Sequence, residues 1–486
     1  MGDQSSAGTL ALLGGTIRAE LQQKLSSKAR VHLPFDEDTT EFNKANLRFT
    51  QYERPTYLAV VEPGCEEDVI AVVKYAREKD IPFTPRGGHH AVTSTMRHFQ
   101  NGICINMRSL NQMRWDAENQ QVTTGGGAIT DEFVRFVHSL GMEVNVGSCP
   151  TTGVIGVAFG AGLGRLQGKY GFLNDNMISC KLVLADGSVV IASKDSHPDL
   201  FWGIRGAGHN FGIALEATFQ VYPQAHGGLH HTWDLEYTLD QCDEVFKTLN
   251  SVYETMPAEL AIFILWMRQS SGRKHIILVN LAWSGPAADA DPYVQRFESL
   301  NPVLNSGRKS VPWPELPFST YKEMNKLFCK PEIWLRGPYK MMGAACVNTF
   351  DLKTTREFFE SVKTMSEEWE DRGWFSAMFE CLPDQRVREI PDDATAFPML
   401  NATPKRMEDR KIFENHLDYW KQRFIETSGY GRLQQYVSYG NGTSTMKDPL
   451  EALYGYEPWR LEKLRGLKQK YDPDNVFRWY QPIIEP

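Results

Sequence analysis

Apolar positions in the first half of the chain alternate between two spacings. Tyr57 to Val61 is an unbroken apolar run, which predicts a strand. In "CEEDVIAVVKYAREKD" the valines and the isoleucine recur at helical spacing behind an acidic opening that suits a helix N-terminus. "IPFTPRGG" returns to a short strand that stops at the glycines. "ICINMRSLNQMRWDAENQQVTTGGGA" predicts strand, turn and strand, and "ITDEFVRFVHSLG" an amphipathic helix closed by a glycine. The alternation runs from about Tyr57 to Tyr222 and predicts an α+β or α/β lobe.

Beyond "FQVYPQAHGG" the pattern shifts to long aromatic-rich strands: "LHHTWDLEYT", "AIFILWM", "HIILVNLAW", "GAACVNTF" and "WFSAMFEC". Helical stretches such as "FFESVKTMSEEWED" lie between them, which predicts a second lobe made of a broad sheet with helices. Trp266, Met267, Trp334, Met341, Met342 and Trp374 are expected in the core of that sheet rather than in a substrate wall. A last helix, "RLEKLRGLKQKY", stops at "DPDNVFRWYQP". No internal repeat is visible.

Composition narrows the function more than the fold. A chain of 486 residues suits two large lobes. Its 52 basic and 60 acidic residues give a net charge of −8 with no basic run, which sets nucleic acid aside as a partner. The eight cysteines are scattered without a CxxC pair, so neither a zinc knuckle nor a dithiol motif is present. No segment is long and apolar enough to span a bilayer. The start, "MGDQSSAGTLALLGG", lacks a basic n-region and is expected to be disordered; Gly2 with Ser6 fits the loose myristoylation pattern, a secondary reading. A cytoplasmic location is expected, with the acceptor sequences at Asn401 and Asn441 unmodified.

Three glycine runs offer themselves for a dinucleotide reading: "GGGA" at 125–128, "GAGLGRLQG" at 160–168 and "GAGHNFG" at 206–212. None fits G-x-G-x-x-G in a strand-turn-helix setting, which disfavours a Rossmann domain. Neighbouring His89 and His90 on a strand point to opposite faces, so "RGGHH" is a poor zinc site and no metal is expected. A glycine loop with a bare backbone can instead approach a pyrophosphate, with Arg86 for charge. "GSCPTTGVIGVAFGAGLG" is a second such loop, and two of them suggest a large phosphate-bearing cofactor.

"PFTPRGGHH", "GSCPTTG", "GAGLGRLQGKYGFLNDN", "ADGSVV", "PDLFWGIRGAGHNFGIALEATFQVYP" and "YDPDNVFRWYQPI" resemble the FAD-linked oxidases related to berberine bridge enzyme, in the vanillyl-alcohol oxidase superfamily. The resemblance runs from about Glu53 to Pro482, and its texture is similar to that of fungal natural-product tailoring oxidases. It implies an α+β fold: a PCMH-type FAD-binding lobe of two subdomains and a substrate lobe with a broad antiparallel sheet covered by helices. The implied division is 1–224 for the FAD lobe with its core at 53–224, 225–429 for the substrate lobe, and 430–486 as a return to the FAD lobe.

The same resemblance implies FAD attached twice, through His90 in the first loop and Cys149 in the second, with His89 the alternative to His90. A neutral imidazole and a thiolate are the nucleophiles such attachment needs. The implied cofactor-binding set comprises Arg86, Gly87, Gly88, His89, His90, Cys149, Thr152, Gly153, Gly156, Gly162, Tyr170, Asn174, Ile213 and Asn475. "QYVSYGNG" offers Tyr436 and Tyr439 where the family carries its catalytic tyrosine, and Tyr439 is the expected base. Glu380 is a candidate second acid or base, and either His230 or His231 a candidate for the pocket wall.

The expected reaction is oxidation of a small apolar or phenolic metabolite by hydride transfer to flavin N5, with dioxygen as the final acceptor. Thr152, three places after the cysteine, has nearly the shape of the valine that accompanies oxidases among the related plant enzymes. A redox-neutral cyclase and a non-catalytic ligand binder are the alternatives on the same fold.

Overall fold

The computed structural model describes residues 2–268, 274–335, 337–386 and 396–485. Its first layer is a four-stranded sheet in the order Arg30–His32, Tyr57–Glu62, Gly102–Asn106, Phe83–Arg86. The last three strands are parallel, joined by the helix Glu66–Glu78, which buries Val69, Val72, Val73 and Ala76. The acidic opening of that helix has a definite use. Asp68 accepts from the backbone of Gly64 and Cys65 and from both the amide and the hydroxyl of Ser26, so it holds the helix start against the preceding turn.

A five-stranded antiparallel sheet follows, in the order Met113–Asp116, Gln121–Gly125, Ile213–Gln220, Met177–Val183, Val189–Ser193. The helix Thr130–Ser139 turns Phe133, Val134 and Val137 inward, and Gly141, at φ +72°, supplies the left-handed turn behind it.

The second half is one antiparallel sheet of eight strands. Its order is Leu304–Asn305, Leu229–Thr238, His275–Trp283, Leu260–Arg268, Gly373–Cys381, Ala396–Pro404, Met341–Ala344, with Lys309–Pro312 also paired to Leu229–Thr238. Strand alternation divides its two faces. Ile262 and Ile264 join the core beneath the helices Cys242–Tyr253, Leu352–Glu368 and Arg410–Glu426, whereas Ala261 and Phe263 join a core shared with Val154 and Phe159 of the first half. The chain then returns: Lys468, on the helix Pro458–Tyr471, donates to the carbonyls of Asn210 and Phe477 and pairs with Asp472.

Two expectations are corrected. Residues Gly2–Gln22 form a helix rather than a disordered start, because Ile17 and Leu21 are fully buried in the core that holds Leu58. In "GAACVNTF" the strand ends at Ala344; Cys346 and Asn348 give their amides to the carbonyls of Gln434 and Ser428 in the returning chain instead of to the sheet. Among the described residues no helix is long and apolar enough to cross a membrane.

Candidate active site

A cavity of about 1470 Å³ lies between the glycine loops of the first half and one face of the eight-stranded sheet. The first loop starts where the parallel strand Phe83–Arg86 ends, the place where open parallel sheets present ligand sites. Arg86 is buried there and reaches only Asn46 through one Nη, leaving its Nε and other Nη without a partner among the described residues. The loop packs backbone on backbone against the second one: a Cβ on Gly88 would stand 2.1 Å from the amide nitrogen of Gly153.

The two histidines separate at this point. His89, at φ +63°, turns toward the Leu47 carbonyl, 2.9 Å from its Nδ1. His90 stacks on Phe49 with ring centres 4.7 Å apart, meets Trp334 edge-on at 5.0 Å, and places Nε2 2.7 Å from Thr151 Oγ1. Lys340 braces this cage, donating to the carbonyls of Phe49, Trp334 and Gly337 with its ammonium 4.8 Å from the Phe49 ring centre. Burial lowers the pKa of both histidines, most strongly that of His89, so both are neutral near pH 7.

In the second loop Cys149 Sγ lies 3.5 Å from Thr151 Oγ1. Its thiol is held well below the ordinary cysteine range, first by a hydrogen bond from Cys329, then by His90 and by the hydroxyl and amide of Thr151, against the opposing effect of burial. Cys329 is raised in turn, by its bond to Cys149 first and by burial. Thr152 directs its hydroxyl to the Cys149 carbonyl at 2.9 Å, with Thr130 Oγ1 3.0 Å away.

Across the cavity, Tyr439 Oη donates to Glu380 Oε2 at 3.1 Å. Glu380 comes from the strand Gly373–Cys381, is only 3 % exposed, and has its pKa pushed up to about 7 by burial, which outweighs the Tyr439 hydrogen bond and the attraction of Arg165. The Tyr439 phenol is raised well above its usual value, by burial first and then by the Glu380 carboxylate. Arg165, buried over the Phe263 ring at 4.7 Å, donates to Tyr321 Oη at 2.7 Å. Tyr321, Lys322 and Glu323 are all left-handed, a costly run for residues with a Cβ. Buried Asp234 holds it by accepting from the amides of Tyr321 and Lys322.

The residues present fit FAD. The cavity has the volume for it, Arg86 offers unpaired buried donors for an anionic group, and Gly156 faces the space with nothing within 4 Å of where its Cβ would be. Arg86, Gly87, Gly88, His89, His90, Cys149, Thr152, Gly153, Gly156 and Ile213 line this cavity together with Tyr439 and Glu380.

Four of the cofactor-site candidates lie outside that lining. Gly162 gives its carbonyl to Asn145 Nδ2, and Tyr170 donates to Glu143 and stacks on Tyr222. Asn174 gives its carbonyl to Arg205, and Asn475 donates to the Ile484 carbonyl near the surface. His230 and His231 are also elsewhere, facing Trp313 and Ser310 respectively.

Of the six methionines and tryptophans expected in the sheet core, Trp266 and Met341 do pack in the core beneath the helices, whereas Met267, Trp334, Met342 and Trp374 contribute to the cavity lining, a further correction; Trp374 is 41 % exposed at its edge. The broad sheet has one face on helices and the other on this cavity, so apolar character does not separate core from wall. Phe49, Cys329 and Lys340 were missed, since nothing in their local sequence marks them.

Residues 57–193 match the family described as FAD binding domain, and residues 446–484 the one described as Berberine and berberine like. An FAD-linked oxidoreductase of Alternaria solani is 84% identical over 99% of both chains. One of Aspergillus ruber is 31% identical over 91% of this chain and 89% of its own. Among solved structures, wild-type BBE-like 1 of Physcomitrella patens superimposes with a TM-score of 0.79 at 21% identity, over 96% of this chain and 99% of that one. Glucooligosaccharide oxidase of Acremonium strictum, whose structure concerns a 6-S-cysteinyl, 8α-N1-histidyl FAD, gives 0.75 at 20% identity over 96% and 100%. The PCMH-type fold, with an FAD-binding part and a sheet-containing substrate part, is therefore that of the chain.

Proposed function

The chain belongs to the FAD-linked oxidoreductases of the berberine bridge enzyme-like oxidase family, and from that premise we propose that this FAD-dependent oxidase acts on a small apolar or phenolic metabolite and tethers its cofactor at His90 and Cys149. When bound, FAD would supply a two-electron acceptor at N5 that dioxygen could reoxidise with release of hydrogen peroxide. The protein supplies the rest. The FAD lobe is assigned to 1–224 with 430–486, and the substrate lobe to 225–429.

The position of His90 beside Thr151 and Cys149 favours it over His89, whose Nδ1 is committed to the Leu47 carbonyl. Arg86 and the open face at Gly156 hold the anionic and planar parts of the cofactor. The methionines and aromatics of the sheet face favour an apolar substrate, and the Glu380–Tyr439 pair a hydroxyl on it.

One observation carries the chemistry: the 3.1 Å hydrogen bond from Tyr439 to Glu380 within an apolar wall. A phenol with a raised pKa is a weak base alone. Here its proton already points at a carboxylate, so Tyr439 oxygen takes the substrate hydroxyl proton while its own passes to Glu380, and one proton moves across two bonds. Thr152, its hydroxyl turned to the backbone, leaves only a methyl toward the cavity, which favours access of dioxygen.

Candidate phenols and alcohols are mixed anaerobically with the enzyme, followed by admission of air. Bleaching of the flavin band and then peroxide release are expected. Turnover to an isomeric product without bleaching or oxygen uptake would replace oxidation by redox-neutral cyclisation.

A further inference from the structure

Thr151 stands between the two residues assigned as tethers. Its Oγ1 lies 2.7 Å from His90 Nε2 and 3.5 Å from Cys149 Sγ. A threonine hydroxyl has one hydrogen to give and two lone pairs to accept with. The direction of each bond follows from counting hydrogens. Cys149, whose thiol is held well below its ordinary range by Cys329, His90 and Thr151, is read as the acceptor in its 3.5 Å contact with Thr151 Oγ1. The single Thr151 hydroxyl hydrogen therefore points at sulfur, and the oxygen accepts the N–H of His90 Nε2. A neutral imidazole with its hydrogen on Nε2 carries a lone pair on Nδ1.

Resting on the double-tether reading, we propose that Thr151 is a positioning residue for cofactor attachment, one hydroxyl that keeps Cys149 as thiolate and fixes His90 in the tautomer whose Nδ1 is the nucleophile. Phe49 and Trp334 hold the ring plane while Thr151 holds its edge, so Nδ1 has one direction left to attack. Each attachment balances against dioxygen. At His90 an N–C bond replaces one C–H of the ring methyl, and at Cys149 an S–C bond replaces one ring C–H. At neutral His90 two protons and two electrons are released, and at the Cys149 thiolate one proton and two electrons with a second proton taken from water; each pair of electrons and protons reduces one O2 to H2O2. Thr151 is regenerated and contributes no atom.

The full-length chain is prepared free of FAD from riboflavin-limited cells as wild type, Thr151→Val and Thr151→Ser. Each is incubated with FAD in air, quenched at intervals, and mapped by peptide mass spectrometry for flavin on His90 and on Cys149, with total bound FAD measured alongside. Thr151→Val should attach FAD at least about tenfold more slowly at both positions, the effect of losing hydrogen bonds to a charged group, while Thr151→Ser keeps pace with wild type. Iodoacetamide should alkylate Cys149 of FAD-free Thr151→Val at least about tenfold more slowly at pH 7 than in wild type. That measurement decides the matter even if the valine variant takes up no FAD. Valine attaching both bonds at the wild-type rate, serine failing as valine does, or unchanged alkylation overturns the role of Thr151. A wild-type chain lacking either bond overturns the double tether itself, a separate result.

Discussion

On one side of the cavity the wall is backbone, and on the other it is side chain. The loop wall brings Gly88 so near to Gly153 that no Cβ fits between them, and Gly126 comes equally close to the Ala214 carbonyl. On the sheet wall the polar and apolar groups facing the cavity are side chains: Glu380 and the methionines reach in from separate strands, and Tyr439 leans over from a turn. A backbone wall is set by which residues are missing a side chain, and it fails all at once. A side-chain wall is set by which atoms point inward, so it can be altered one function at a time.

Four substitutions test that contrast, one of backbone and three of side chains, the three in decreasing order of effect on rate. Gly88→Ala drives a methyl into the Gly153 backbone, an overpacking cost of about 1–3 kcal/mol, and should cut FAD bound per folded chain by more than about tenfold. Normal FAD content, read from the flavin absorbance of monodisperse protein, would remove the distinction between the walls. Glu380→Gln should keep FAD and fold but slow anaerobic flavin reduction by about 10²–10⁴. With its pKa near about 7, the Glu380 carboxyl is charged and ready to accept a proton only above that pH. Wild-type reduction should thus rise with pH through the neutral range, and the glutamine variant should lose that rise in stopped-flow traces.

Tyr439→Phe removes the relay but leaves the carboxylate, and reduction should slow by roughly ten- to a hundredfold, the lower reach of acid–base effects. Equal losses in the glutamine and phenylalanine variants would mean that the pair acts as one unit. The smallest effect is expected for Thr152→Leu: reduction by substrate unchanged, reoxidation in aerated buffer slower by about tenfold, as one filled methyl-sized space near the flavin face allows. Identical reoxidation traces would move the dioxygen path elsewhere.

The same contrast explains what could be read in the sequence. "RGGHH" and "GSCPTTG" were legible because a backbone wall requires glycine at fixed neighbouring positions, which is a local signal. The helix Glu66–Glu78 and the strands Leu229–Thr238 and His275–Trp283 were also legible, each having a single dominant period. Strand order in the large sheet was not, since pairings such as Phe263 with Glu380 join segments far apart in the chain. Cys329 was missed for that reason: its contact with Cys149 exists only after the two halves meet. The helix Gly2–Gln22 escaped because a polar, glycine-bearing start hides the two anchors, Ile17 and Leu21, that dock it.

The return of the chain to the first lobe has a consequence for time. Gln481 Nε2 donates to the carbonyls of Val437 and Gly440, fastening the turn that carries Tyr439, and Thr95 donates to the Trp479 carbonyl 384 residues further along. Phe477, Trp479 and Tyr480 all line the cavity. At about 5–20 residues per second, a ribosome needs roughly 20–80 s to travel from Thr95 to Trp479. The glycine loops spend that interval without the floor against which a cofactor would rest. A cofactor that rests on this floor can therefore be seated only after residues 477–480 have been made.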